Sequence, residues 1–376
     1  MYDLREIKNK DIESELSKIG FDNSYINKAE DKFRFSNLKI YDLSCAQANI
    51  LKQTALSFGA DCATNKNVIT GNIEKSDVIL SGSVSQLEKI AEKLKSQPFK
   101  LKNLGEEIQD FISKKGSQKT QIVGILNLSE NSFSGDGIGD TETAFTRLQE
   151  MFEEGADIID IGAESTKPYS SKVSPEDQTV KIKPLLEKVK ESSYLSSKTY
   201  SIDTRSSKVA EECIKILGSK NIIINDVSGG DFDENMFSTV AKYDVPIIIQ
   251  HSQGTPENMQ DNPTYNDVIE EIYFNLKNKI EIAKSKGISK IIIDVGIGFG
   301  KTREHNLDLI KNISEFKSLG CPIMLGISRK SFLGKDLDNN TKDALTLAFN
   351  YTAFENNIDF IRIHNVKLHK KLSEFF

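Results

Sequence analysis

The chain has 376 residues, 38% of them hydrophobic and 28% charged, and a formal net charge of −6. That length suits a large barrel alone or a barrel with a small added domain, and the composition is that of a globular protein with a sizeable core. The acidic balance, with no long basic run, excludes a general nucleic-acid binder, so any anionic ligand must be held by local charge.

In chain order the first predicted elements are a strand over Leu38–Leu43, a helix over Ala46–Phe58 and short strands. A strand over Asp77–Ser81 and a helix over Ser85–Lys95 follow, the helix announced by Ser83 with Gln86 three residues on, a capping signature. This α/β module carries no recognisable catalytic cluster. A polar run from Lys114 to Lys119 precedes a new apolar strand. It divides the chain into a small accessory domain, residues 1–116, and a larger domain, residues 117–376.

From Gln121 onward strands and helices alternate regularly. The predicted strands are Ile122–Leu128, Asp157–Gly162, Thr199–Asp203, Ile222–Val227, Pro246–His251, Ile291–Val295, Pro322–Gly326 and Phe360–His364. Helical stretches between them include Thr143–Glu154, Lys208–Leu217, Tyr265–Lys286 and Lys342–Glu355. The strands are near-continuous apolar runs, as in a parallel sheet buried on both faces. Eight such units predict a (β/α)8 TIM barrel behind a small α/β N-terminal domain, with an open doubly wound sheet as the alternative.

Polar residues gather where these strands end. They are Asn127, Glu164 to Lys167, Asp203-Thr204, Asn225-Asp226, His251, Asp294, Lys330, and Arg362 with His364. A lone Asp at a strand end is usually a helix cap. Eight polar strand ends are harder to assign to capping, and in this fold that face hosts the active site. Ser328-Arg329-Lys330-Ser331 and Arg362-Ile363-His364 follow strands seven and eight, where such barrels most often bind phosphate.

The run Gly296-Ile297-Gly298-Phe299-Gly300-Lys301-Thr302 invites a nucleotide-binding label, but Val295 stands where a phosphate-cradling loop needs glycine. A dinucleotide fingerprint would open the first βα unit, not the sixth. The glycines are read instead as letting backbone pass close to a flat ligand, with Phe299 as a wall. A carboxylate at Asp203 or Asp294 suits the donor–donor edge of a planar heterocycle, and Asn225 suits a mixed edge.

Other residues have plainer readings. His251 is structural, His305 and His369 are solvated, and Glu164 organises the second loop. Lys367 to Lys371 form the exposed face of the last helix. Leu345, Phe349, Tyr351 and Phe354 line a helix core or a dimer interface. Cys45, Cys62, Cys213 and Cys321 are far apart and read as reduced. No apolar stretch approaches membrane-spanning length, and Met1 to Arg5 lack a secretory h-region, so a cytoplasmic enzyme with no membrane partner is expected.

These blocks resemble the dihydropteroate synthase family. Ile122 to Asn127 with Ser132-Phe133-Ser134, Gly155 to Gly162 with Glu164-Ser165-Thr166, and Ile224 to Gly230 look like its signatures. Gly296 to Lys301, Ser328 to Ser331 and Arg362 to His364 look like three more, all in family order. The resemblance implies an enzyme joining 6-hydroxymethyl-7,8-dihydropterin pyrophosphate to p-aminobenzoate with release of pyrophosphate, and usually a homodimer. It implies that Asp203, Asn225, Asp294 and Lys330 bind the pterin. Asn127 would hold a Mg²⁺ bridging the pyrophosphate, with Arg362 and His364 on the same anion and Thr166 nearby. Phe133, Pro168, Phe299 and Ser331 would frame the p-aminobenzoate pocket.

Some positions depart from the family pattern. The first loop reads Glu130 to Gly137 with Asp136 displaced by one place, and Lys167 stands where Arg is usual. Gln250 replaces an apolar residue, Val295 a proline and Asn365 an aspartate. Two other functions stay open on the residues: a pterin-binding methyltransferase working with a corrinoid partner, and a non-catalytic pterin-binding relative. The methyltransferase would not need the anion pair after strands seven and eight.

Overall fold

The computed structural model describes residues 4–7, 12–113, 119–128, 140–164, 173–254 and 259–376. The expectations for Phe133, Asp136, Thr166, Lys167 and Pro168, and for the division between residues 116 and 117, fall outside the described residues. The chain's contacts separate into two units, Met1–Gly116 and Ser117–Phe376.

In the first unit, helices α1 (Ile12–Lys18) and α2 (Ile26–Phe33) precede strand β1 (Phe35–Ser44) and helix α3 (Cys45–Ser57). Strands β2 (Asp61–Thr64) and β3 (Lys75–Ser83) follow, then helices α4 (Val84–Leu94) and α5 (Leu101–Ser113). Strand β3 lies between β1 and β2 and runs antiparallel to both. Its side chains alternate as a half-covered strand requires, with Ser76, Val78 and Leu80 buried and Lys75 and Asp77 exposed. Leu80 joins Leu51, Leu87, Ile90 and Leu94 in one core. Ser44 with Gln47 and Ser83 with Gln86 close capping boxes that satisfy the first amides of α3 and α4. Helices α1, α2 and α5 were not anticipated. Helix α5 does space its buried Leu101, Ile108 and Ile112 for one face, but Gly105 interrupts the pattern.

The described residues of the second unit form eight strands. They are β4 (Gln121–Asn127), β5 (Ile158–Gly162), β6 (Thr199–Asp203), β7 (Ile222–Asp226), β8 (Ile247–Gln250), β9 (Ile291–Asp294), β10 (Ile323–Leu325) and β11 (Phe360–Ile363). All neighbours are parallel, and β11 pairs with β4 to close the barrel, which removes the open-sheet alternative. Among the described residues seven helices lie between them: α6 (Thr141–Glu153), α7 (Pro175–Glu191), α8 (Ser207–Leu217), α9 (Met236–Tyr243), α10 (Val268–Ser285), α11 (Arg303–Lys311) and α12 (Asn339–Glu355). Helix α13 (Val366–Ser373) follows β11.

Both faces of the strands are apolar for different reasons. Ile159, Ile161, Ile202, Ile224, Ile249 and Ile293 face outward into the large core shared with the helices. Val123, Ile158, Ile223, Ile248, Ile292 and Met324 form a second, inner core, with Phe360 packed against it. Burying each such side chain is worth about 1.5–3 kcal/mol, so closure of the barrel is driven from both sides.

Two histidine expectations need correction. His369 is 1% exposed, between Asn350 Nδ2 at 3.0 Å and the Asn365 carbonyl at 2.9 Å. Burial pushes its imidazole below the usual range. His305 is half-buried and completes the capping box of α11 with Thr302. Both lie on helices whose sequence reads as polar, but His369 is buried against Asn350 of α12 and His305 turns back onto its own helix start.

Candidate active site

Strand side chains alternate with a period of two, so the inner wall is set by parity. One step beyond the inner apolar layer, toward the C-terminal ends, the inward residues become polar on most strands, with Ile125 on β4 the exception. Ile158 gives way to Asp160, Ile223 to Asn225, Ile248 to Gln250, Ile292 to Asp294 and Phe360 to Arg362. On β6, Ser201 is level with Asp160 and Ile223, and Asp203 follows it. The matching residue, just past the end of β10, is Gly326, whose missing side chain leaves a gap. A Cβ there would sit 3.6 Å from Asp294 Oδ2 and 3.8 Å from both Lys330 Nζ and Arg362 Cβ.

Around that gap the charges are interlocked. Arg362 donates from Nε to Asp160 Oδ2 at 2.6 Å and from Nη2 to Asp203 Oδ2 at 2.8 Å. Asn225 Nδ2 donates to Asp160 Oδ2 at 3.2 Å, while Asn225 Oδ1 and Ser201 Oγ are buried with no partner among the described residues. Asp294 Oδ1 accepts from the Gly296 amide at 2.7 Å. Lys330 Nζ donates to the Ile297 carbonyl and lies 4.7 Å from the centre of the Phe299 ring. Burial pushes the Asp203 carboxyl up to about 7, against the pull of Arg362, and likewise raises Asp294 against Lys330. Burial brings the Lys330 ammonium down to about 8, with Asp294 opposing. Desolvation disfavours whichever form is charged, which explains the opposite signs.

His364 is held at the end of β11 by the hydroxyl of Ser328, 2.9 Å from its Nδ1. Ser331 begins the short 3₁₀ turn Ser331–Leu333. Asn127 ends β4, level with Gly162. Asp203, Asn225, Asp294, Lys330 and Arg362 are thus brought together, with His364 one step along β11.

Several residues were missed or misread. Asp160, 1% exposed, is the central acceptor for Arg362, and its signal was a carboxylate inside an apolar strand. Lys301, 3% exposed, lies 2.9 Å from His251 Nδ1, and burial holds its ammonium well below the usual range. His251 is satisfied there, and burial with the nearby lysines pushes it down to about 2. Glu164 forms a buried ion pair with Arg205 at 2.7 Å and accepts from the Val173 amide at 3.4 Å. Arg329, expected to serve an anion, is instead paired with Asp343 at 2.7 Å. The glycines near Phe299 serve the protein's own backbone and side chains. A Cβ on Gly296 would lie 1.8 Å from the His251 carbonyl oxygen, and one on Gly300 2.6 Å from that of Gln253.

A closed barrel whose mouth combines carboxylate and amide acceptors with two cations defines an enzyme for a donor-rich, anionic small molecule. The sequence profile of a family described as pterin binding enzyme matches residues 123–364. The bifunctional dihydropteroate synthase/dihydropteroate reductase of Helicobacter pylori is 32% identical over 367 residues, 97% of this chain and 96% of that protein. The dihydropteroate synthase of Yersinia pestis, solved in a sulfonamide drug complex, is similar with a TM-score of 0.65 at 30% identity, covering 69% of this chain and 94% of that one. The Anaplasma phagocytophilum enzyme with bound 6-hydroxymethylpterin-monophosphate gives a TM-score of 0.61 at 31% identity, covering 69% of this chain and 99% of that one. The chain belongs to the dihydropteroate synthase family of pterin binding enzymes and is a transferase of folate synthesis.

Proposed function

We propose that the mouth of this barrel holds the dihydropterin on Asp203, Asn225 and Asp294 and its diphosphate on Lys330, Arg362 and His364. The observation that carries this reading is the convergence of Asp294, Lys330 and Arg362 on the gap at Gly326, with Asn225 Oδ1, unpartnered among the described residues, on the same inner layer. In the reaction the C–O bond between the pterin methylene and the diphosphate breaks, its electron pair leaving with the diphosphate. The arylamine nitrogen of p-aminobenzoate forms the new C–N bond and loses a proton to solvent. The growing charge on the leaving group is what fixed cations stabilise. Phe299, whose ring lies 4.7 Å from Lys330 Nζ, and Ser331, next to Lys330 in the chain, would take p-aminobenzoate.

Among the described residues no group of three or more His, Cys, Asp or Glu is placed to hold a metal ion. Mg²⁺ usually keeps waters and takes substrate phosphates with one or two protein oxygens. The amide oxygen of Asn127 fits that role for an ion arriving with the diphosphate, and the ion would neutralise charge on the leaving group. The test is pyrophosphate release from the pterin diphosphate with and without p-aminobenzoate and Mg²⁺. Release requiring both supports the reading. Pterin binding with no release would leave only a binding protein.

A homodimer is part of the same proposal. Tyr351 is 47% and Phe376 54% exposed, with their rings 5.3 Å apart, a patch suited to a second copy. A monomer in sedimentation would remove it. A cytoplasmic location is supported by four free thiols, and among the described residues no helix is long and apolar enough to cross a membrane. A second activity is favoured by the Helicobacter pylori relative, whose name adds a dihydropteroate reductase and whose alignment spans 97% of this chain. Oxidation of a reduced nicotinamide or flavin that depends on dihydropteroate would show it here.

A further inference from the structure

Arg329 sits between Ser328 and Lys330 with a φ of +56°. That left-handed conformation costs a residue with a Cβ about 1–2 kcal/mol, so its surroundings must hold it. Asp343 of α12 does so. Arg329 donates from Nε to Asp343 Oδ1 at 2.7 Å and from Nη2 to Oδ2 at 2.9 Å, and Asp343 is 4% exposed. The same Oδ2 accepts from Asn365 Nδ2 at 3.1 Å. Asn365 directly follows His364, and its own Oδ1 caps α13 at the Leu368 amide, 3.1 Å away. One buried carboxylate therefore joins the loop that carries Lys330 to the loop that carries His364. Ser328 adds a direct tie, accepting from the His364 amide at 3.1 Å.

We propose that Asp343 is a positioning residue for the diphosphate end of the site, setting Lys330 and His364 relative to one another through Arg329 and Asn365. The inference rests on the reading of the barrel mouth as a pterin diphosphate site. The amide of Asn365 is what makes the link possible. An aspartate at that position would keep the helix cap but set a second carboxylate against Asp343, where like charges repel.

The test is calorimetric binding to the full chain, with Mg²⁺, of two probes: the pterin diphosphate and 6-hydroxymethylpterin without phosphate. The proteins are wild type, Asn365→Asp and Asp343→Asn. A site whose cations have shifted should lose about tenfold or more in affinity for the diphosphate, and keep its affinity for the bare pterin. In turnover, KM for the diphosphate substrate should rise while KM for p-aminobenzoate holds. Unchanged diphosphate affinity in both variants overturns the proposal, as does an equal loss on both probes, which marks a merely structural role. Should Asp343→Asn fail to fold, Asn365→Asp decides, because it leaves the Arg329–Asp343 fork in place. A wild-type protein that does not prefer the diphosphate overturns the underlying site reading as well, and that result is distinguishable from the others.

Discussion

Lys330 shows most directly how burial and chemistry pull on one group. On the proposed reading its ammonium acts as a cation against a leaving diphosphate, yet burial brings it down to about 8. In the free enzyme kcat/KM should therefore fall as pH rises through about 8, since that ratio reports the free enzyme's ionisations. Stability moves the other way. The unfolded chain keeps this proton up to the ordinary lysine value, so between there and 8 the unfolded state binds more protons and stability rises with pH. A falling rate with no fall in Tm over that window is the expected pair of curves. Lys330→Arg, charged throughout, should remove the falling limb, and a limb unmoved in that variant would assign it to another group. Residues of this kind were legible because polar groups ended apolar strands. Asp160 was not, since a carboxylate inside a buried strand shows its purpose only when Arg362, far along the chain, folds back against it.

At the level of elements, the eight barrel strands were readable almost to the residue, because burial on both faces leaves little but β-branched and aliphatic side chains. The glycine run after β9 was readable as a special turn, but its reason was not. Gly296 has a φ of +70° and faces the His251 carbonyl, where an added Cβ would lie 1.8 Å from the oxygen. Gly287, after α10, also has a positive φ, at +92°, but meets nothing within 4 Å. Alanine at the two positions separates strain from collision. Gly287→Ala should cost about 1–2 kcal/mol, the backbone term alone. Gly296→Ala must also displace the end of β8, and should cost several kcal/mol or prevent folding. Denaturant midpoints of the two variants check this, and equal losses would mean that the His251 backbone yields freely.

For the molecule as a whole, the boundary was marked only by a polar run that lies almost wholly outside the described residues. Among the described residues, the core around Leu51, Leu80, Leu87 and Leu94 draws on residues from Leu38 to Ile112. The outer and inner barrel cores draw, among the described residues, on those from Ile122 to Leu372. A unit with its own core, and with every strand of its sheet paired inside it, has what independent folding requires. Each proposed pterin and diphosphate residue also comes from the second unit. A fragment spanning Ser117–Phe376 is therefore expected to fold, with the circular dichroism of an α/β barrel, and to release pyrophosphate in a p-aminobenzoate-dependent way. A folded but inactive fragment would mean that the first unit takes part in catalysis. A fragment that does not fold would mean that the barrel depends on the first unit for its stability.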